Sequence, residues 1–111
     1  MTLMTLLEQQ RLWKSKTNEE ARLRTMNDLR CALKRHLPAV SVWVYGSLVK
    51  PGRFHSESDV DLALETLPAN VSLELLQSLL SREVKREVDV CELQKTRLAG
   101  FIQAGGQRWT P

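Results

Sequence analysis

The sequence predicts an α/β (α+β) protein, a small mixed β-sheet of about three strands flanked by helices. Three observations carry this expectation. Residues 18 to 36 place Met26, Leu29 and Leu33, with Leu37 just beyond, at helical spacing; residues 39–45, 59–65 and 84–93 alternate with period two; and helical patterns return at 71–82 and 94–104. At 111 residues the chain is about one domain, long enough for one core of its own.

The elements follow in order. Residues 2 to 14 put Leu3, Leu6, Leu7 and Trp13 near helical spacing, so residues 1–17 are expected to form a separate N-terminal amphipathic helix ahead of a domain spanning 18–111. Thr17-Asn18-Glu19-Glu20 has the form of a capping box, which predicts the start of a second helix there, and Pro38 stops that helix. In residues 39 to 45 Val40, Val42 and Val44 alternate with Ser41, Trp43 and Tyr45, a β-branched and aromatic strand that ends at Gly46. The stretch 47–58, with Pro51, Gly52 and three serines, reads as an exposed loop.

A second strand, 59–65, sets Val60, Leu62 and Leu64 against Asp59, Asp61 and Ala63. Pro68 and Asn70 precede a helix that should bury Leu73, Leu76, Leu79 and Leu80. The third strand sets Val84, Val88 and Val90 against Asp89 and Cys91, and the last helix is expected to bury Leu98, Phe101 and Ile102 before Gly105-Gly106 and a tail containing Trp109.

The net charge of +3 is a weak field for a whole domain, and its cations are interleaved with acids over residues 8 to 36, so direct nucleic-acid binding is not expected. Cys31 and Cys91 lie far apart, without a zinc-type spacing, and are expected to be buried free thiols in a reducing compartment. With no cationic leader ahead of a cleavage site and no apolar run approaching the roughly 20 residues that span a bilayer, a soluble cytoplasmic protein without a membrane partner is expected.

The chemistry concentrates on the second and third strands. Asp59 and Asp61 leave the same face with Cα atoms about 6.6 Å apart at a rise of about 3.3 Å per residue. Two carboxylates on one face of so small a sheet call for a cation between them, and hard oxygen ligands suit Mg²⁺. Upstream, a strand runs directly into Gly46-Ser47, which offers a backbone approach without a Cβ, free N–H groups and a hydroxyl for phosphate oxygens. Downstream, Asp89 stands alone between Val88 and Val90, a third carboxylate in need of a partner. Together these residues suit metal-assisted phosphoryl chemistry, with Lys50 and Arg53 in the loop as partners for the β- and γ-phosphates. Ser58 and His55 fit turn and solvent roles, His36 fits a favourable neighbour of a helix C-terminus, and Trp43 and Tyr45 fit the core.

The stretch VYGSLVKPGRFHSESDVDLALE resembles the signature of the minimal nucleotidyltransferases, small relatives of the DNA polymerase β superfamily, in which a strand and Gly-Ser are followed by a loop and Ser-Asp-x-Asp-Leu. Gly46, Ser47, Ser58, Asp59, Asp61 and Leu62 match it, and EVDVCEL resembles the later strand with the third carboxylate at Asp89. The likeness runs over about residues 20 to 110, with a loop from Leu48 to Ser58 one residue longer than usual. It implies a nucleotidyltransferase fold, catalytic and Mg²⁺-binding roles for Asp59, Asp61 and Asp89, and nucleotide binding by Gly46 and Ser47, which Lys50 and Arg53 would join from their place in the loop. Family members of this size resemble antitoxins paired with an all-helical HEPN ribonuclease toxin. The resemblance therefore implies a hetero-oligomer in which AMP passes from ATP to a tyrosine of the toxin. A catalytically silent module acting by occlusion, and a small-molecule nucleotidyltransferase served by a separate subunit, stand as alternatives. The leucines of residues 3 to 13 and Trp109 are candidate partner contacts.

Overall fold

A computed structural model describes residues 4–111. A helix Leu6–His36 (α1) leads into strand Val42–Tyr45 (β1), a 3-10 turn Gly46–Val49, strand Val60–Leu64 (β2), helix Leu73–Val84 (α2), strand Val88–Glu92 (β3), helix Ala99–Gly105 (α3) and strand Gln107–Trp109 (β4). The sheet order is β3-β2-β1-β4, with β1 antiparallel to both neighbours and β2 parallel to β3.

The expected break at residue 17 is absent, because 6–36 form one continuous helix. The capping box sits earlier: the Thr5 hydroxyl accepts from the Glu8 N–H at 3.1 Å, and the Glu8 carboxylate accepts from the Thr5 N–H at 3.1 Å. Thr17 instead donates its hydroxyl to the Trp13 carbonyl at 2.9 Å, a bond that lets threonine sit inside a helix. No Gly or Pro interrupts residues 6 to 36. Leu3 and the expected start at residue 2 lie outside the described residues. Lys34, Arg35 and His36 complement the carbonyl end of the helix, and Arg35 and His36 both approach Glu83 of α2.

The sheet has two different faces. Val42, Val44, Val60, Leu62, Leu64, Val88 and Val90 turn one way and form the main core with Leu29 and Leu33 of α1 and Leu76 and Leu80 of α2. Ser72 caps α2 by accepting from the Leu75 N–H. On the other face Ile102 of α3 packs with Ala63, near Trp43, Tyr45 and Cys91. Only Ile102 of the expected trio is buried; Leu98 and Phe101 are exposed, because α3 is seven residues long and turns a single residue inward.

Other expectations are corrected as well. The third strand begins at Val88, since Val84 ends α2 and Lys85 takes a left-handed conformation. A fourth strand forms where a tail was expected: Gly106 lets the chain pass where a Cβ would stand 2.6 Å from the Ile102 carbonyl oxygen, and Trp109 then pairs with Val42 and joins the core. Cys31 is exposed, lying on the solvent side of α1, and Cys91 is half-buried. Leu6, Leu7, Leu12 and Trp13 are exposed on the first turns of α1. Among the described residues no helix is long and apolar enough to cross a membrane.

The two ends of α1 should respond differently to truncation. Leu33→Ala, at a fully buried position, is expected to cost about 2–5 kcal/mol in urea unfolding. Leu12→Ala should stay within about 0.5 kcal/mol of the parent.

Candidate active site

The strand registers assemble the site. β1 sets Tyr45 opposite Asp61, and β3 sets Asp89 opposite Asp61, so the three lie in one row across the sheet on the face away from the main core. Alternation along β2 makes this unavoidable: with Val60, Leu62 and Leu64 buried, Asp61 must emerge on the other side. Asp59 lies just ahead of β2 and is exposed, two residues before Asp61 and on the same side.

These carboxylates feel one another. Burial raises the proton affinity of Asp61 above the usual carboxylate range, and the negative charges of Asp89 and then Asp59 raise it further. The Tyr45 phenol, 3.8 Å from the Cys91 sulfur, is likewise pushed up, first by burial, then by Cys91 and by the charges of Asp61 and Asp89. Among the described residues no three His, Cys, Asp or Glu side chains converge closely enough to hold a metal ion as they stand. The donor set is nevertheless chemically that of a hard-cation site, all carboxylate oxygen, and its mutual repulsion is what a divalent cation relieves.

Gly46 closes over this row. It takes φ +80°, and a Cβ on it would stand 2.6 Å from Oδ2 of Asp61. The backbone thus lies directly against the carboxylate, an approach open only to glycine. The turn that follows is held firmly. Leu48 and Val49 are buried, and the Leu48 carbonyl accepts from Nη1 of Arg22 at 2.9 Å. Arg22 is itself buried and paired with Glu19 at 2.7 Å, its guanidinium held in the charged form chiefly by that bond.

Other residues expected here scatter. Ser47 is half-buried on the turn beside Gly46. Lys50 is exposed, with Nζ 5.7 Å from the Phe101 ring centroid, and Arg53 is exposed further along the loop. No hydrogen bond or ion pair among the described residues joins either cation to the carboxylates. Ser58 accepts from the His55 N–H at 2.9 Å, a turn role, and His55 accepts from the Glu57 N–H. Asp89 borders a groove of about 280 Å³ with Gln77 and Ser81. A cavity of about 720 Å³ lies elsewhere, between Arg30, Lys34 and Trp109.

Two supporting arginines escaped the sequence. Arg22 carried a signal, since it falls four, seven and eleven residues before Met26, Leu29 and Leu33 and so lies on the apolar stripe. Arg86 carried none; its partners are 28 to 31 residues distant, in the loop before Asp59.

The family described as Polymerase beta, Nucleotidyltransferase matches residues 27–107. A crystal structure of a toxin-antitoxin with AMP-PNP superposes with a TM-score of 0.60 and 21% identity, over 77% of this chain and 73% of that one. A crystal structure of the toxin-antitoxin MntA-HepT superposes with a TM-score of 0.55 and 18% identity, over 80% and 72%. At these identities the likeness is one of fold. No curated protein matches the sequence.

Two stability changes follow from the geometry. Gly46→Ala should cost about 1–3 kcal/mol, from positive-φ strain, and should push the Asp61 carboxylate aside. Asp61→Asn should raise the melting temperature at pH 7. The folded protein holds the Asp61 proton more tightly than the unfolded chain, so stability is lost as pH rises through the raised pKa. The advantage of the asparagine variant should therefore vanish on acidification below the ordinary Asp pKa of about 3.9. Thermal melts of both proteins across this range check the sign.

Proposed function

The chain belongs to the Polymerase beta nucleotidyltransferase family, and from that premise we propose that it is a Mg²⁺-dependent nucleotidyltransferase acting as an antitoxin, transferring AMP from ATP to a tyrosine of a HEPN ribonuclease toxin. The observation that carries this reading is the carboxylate row Asp61–Asp89 beneath the bare backbone of Gly46, with Asp59 beside it. The folds of two toxin-antitoxin structures, one of them with AMP-PNP, support the donor and the partner.

Asp59, Asp61 and Asp89 would hold Mg²⁺, which when bound supplies charge neutralisation for a triphosphate and a lowered pKa for an attacking hydroxyl. Gly46 and Ser47 receive phosphate oxygens through backbone N–H groups and the serine hydroxyl. Lys50 and Arg53, exposed on the loop, would reach the β- and γ-phosphates and offset charge on the leaving pyrophosphate. In the transfer the tyrosine oxygen forms a bond to the α-phosphorus, the bond from that phosphorus to pyrophosphate breaks, and the phenolic proton passes to the Asp89 carboxylate. Charge explains the antitoxin effect: a phosphate ester beside an RNase site repels RNA phosphates and blocks their approach.

The site is open, which suits a protein acceptor. Asp59 and Asp89 are exposed, which leaves the acceptor side of the row open to a macromolecular surface. Co-expression of a HEPN toxin with this chain is expected to increase the intact mass of the toxin by whole nucleotide monophosphate units. The Asp59→Asn/Asp61→Asn variant should leave that mass unchanged. An unmodified toxin that still co-purifies with the wild type would replace catalysis by occlusion.

A further inference from the structure

Arg86 lies between α2 and β3, directly after the left-handed Lys85. Its Nη1 donates to three carbonyl oxygens of the loop before β2: His55 at 3.1 Å, Ser56 at 3.0 Å and Ser58 at 3.1 Å. The guanidinium carbon stacks 4.4 Å from the ring centroid of Phe54, which is buried. Burial disfavours the charged guanidinium, so these carbonyl oxygens are its compensation within the fold.

The place of this clamp gives it a consequence for the site. The Ser58 carbonyl belongs to the peptide group that joins Ser58 to Asp59, so Arg86 is bonded to the backbone that carries the first carboxylate. Asp59 itself precedes β2, is exposed, and has no side-chain hydrogen bond among the described residues. Arg86 also stands three residues before Asp89, and the next residue, Glu87, accepts from the Val60 N–H at 2.9 Å. One side chain therefore ties the entry of the Asp59–Asp61 strand to the entry of the Asp89 strand.

We propose that Arg86 is a positioning residue of the transferase site, fixing Asp59 relative to Asp61 and Asp89 by holding the His55, Ser56 and Ser58 carbonyls against Phe54. The role rests on the functional reading above. An arginine suits it because a planar guanidinium stacks on an aromatic ring while donating in its own plane, which an ammonium group does not do.

The test combines amide hydrogen exchange of the free protein with the Mg²⁺ dependence of AMP-PNP binding, for the wild type, Arg86→Ala, Arg86→Lys and Phe54→Leu. Arg86→Ala should speed exchange over residues 54 to 60 and raise the Mg²⁺ concentration for half-maximal binding by about 10–100-fold. Arg86→Lys should fall between Arg86→Ala and the wild type. Phe54→Leu keeps an apolar side chain in the core, and it should shift both readouts in the same direction if Arg86→Ala does not fold. Faster exchange with an unchanged Mg²⁺ requirement would reduce Arg86 to a purely structural tie and overturn the proposal. Wild-type protein that binds no AMP-PNP at any Mg²⁺ concentration would overturn the functional reading and this role with it.

Discussion

The parallel pairing of β2 with β3 is the constraint on which the rest depends. It places Asp61 beside Asp89 on one face, while Leu62 and Val90 are buried on the other. A slip of one residue would bury the carboxylates and expose the core, so the apolar alternation that stabilises the sheet also fixes the register of the site. The main core of α1, α2 and the sheet holds together a row of carboxylates, and burial, followed by the charges of Asp89 and Asp59, raises the proton affinity of Asp61. Such local destabilisation is characteristic of functional sites, and a divalent cation would relieve it.

Much of this was legible because it is written in period two. Asp59, Asp61 and Asp89 stand in alternating strands whose apolar partners are plain, and Gly46 follows directly on a β-branched run. All three expected strands are shorter in the structure, but each occurs within the stretch where its alternation lies. The long helix was misread because Thr17-Asn18-Glu19-Glu20 satisfies a capping pattern that the chain does not use. Its neighbours are all residues a helix accepts, and residues 6 to 17 ahead of it are exposed, so no burial marks that stretch as helix interior. β4 is three residues, too short to show a period.

Tertiary support was invisible for a different reason. Arg22 shows its place on the apolar stripe of α1 but not its partner, the Leu48 carbonyl 26 residues away, and Arg86, whose carbonyl partners lie 28 to 31 residues away, leaves no local signature at all. Both act on backbone rather than on side chains: one on the turn after Gly46, the other on the loop before Asp59. The two ends of the segment between Gly46 and Asp59 are thus each pinned by an arginine from outside it. The span between them carries Lys50 and Arg53 exposed to solvent.

The most direct test of the account is calorimetric titration of the purified chain with AMP-PNP, with Mg²⁺ and with EDTA, beside the Asp61→Asn variant. Binding that requires Mg²⁺ and is lost on substituting the carboxylate at the centre of the row is the predicted result. Equal binding with EDTA, or binding that survives Asp61→Asn intact, would contradict the assignment of this carboxylate row as the nucleotidyl-transfer site.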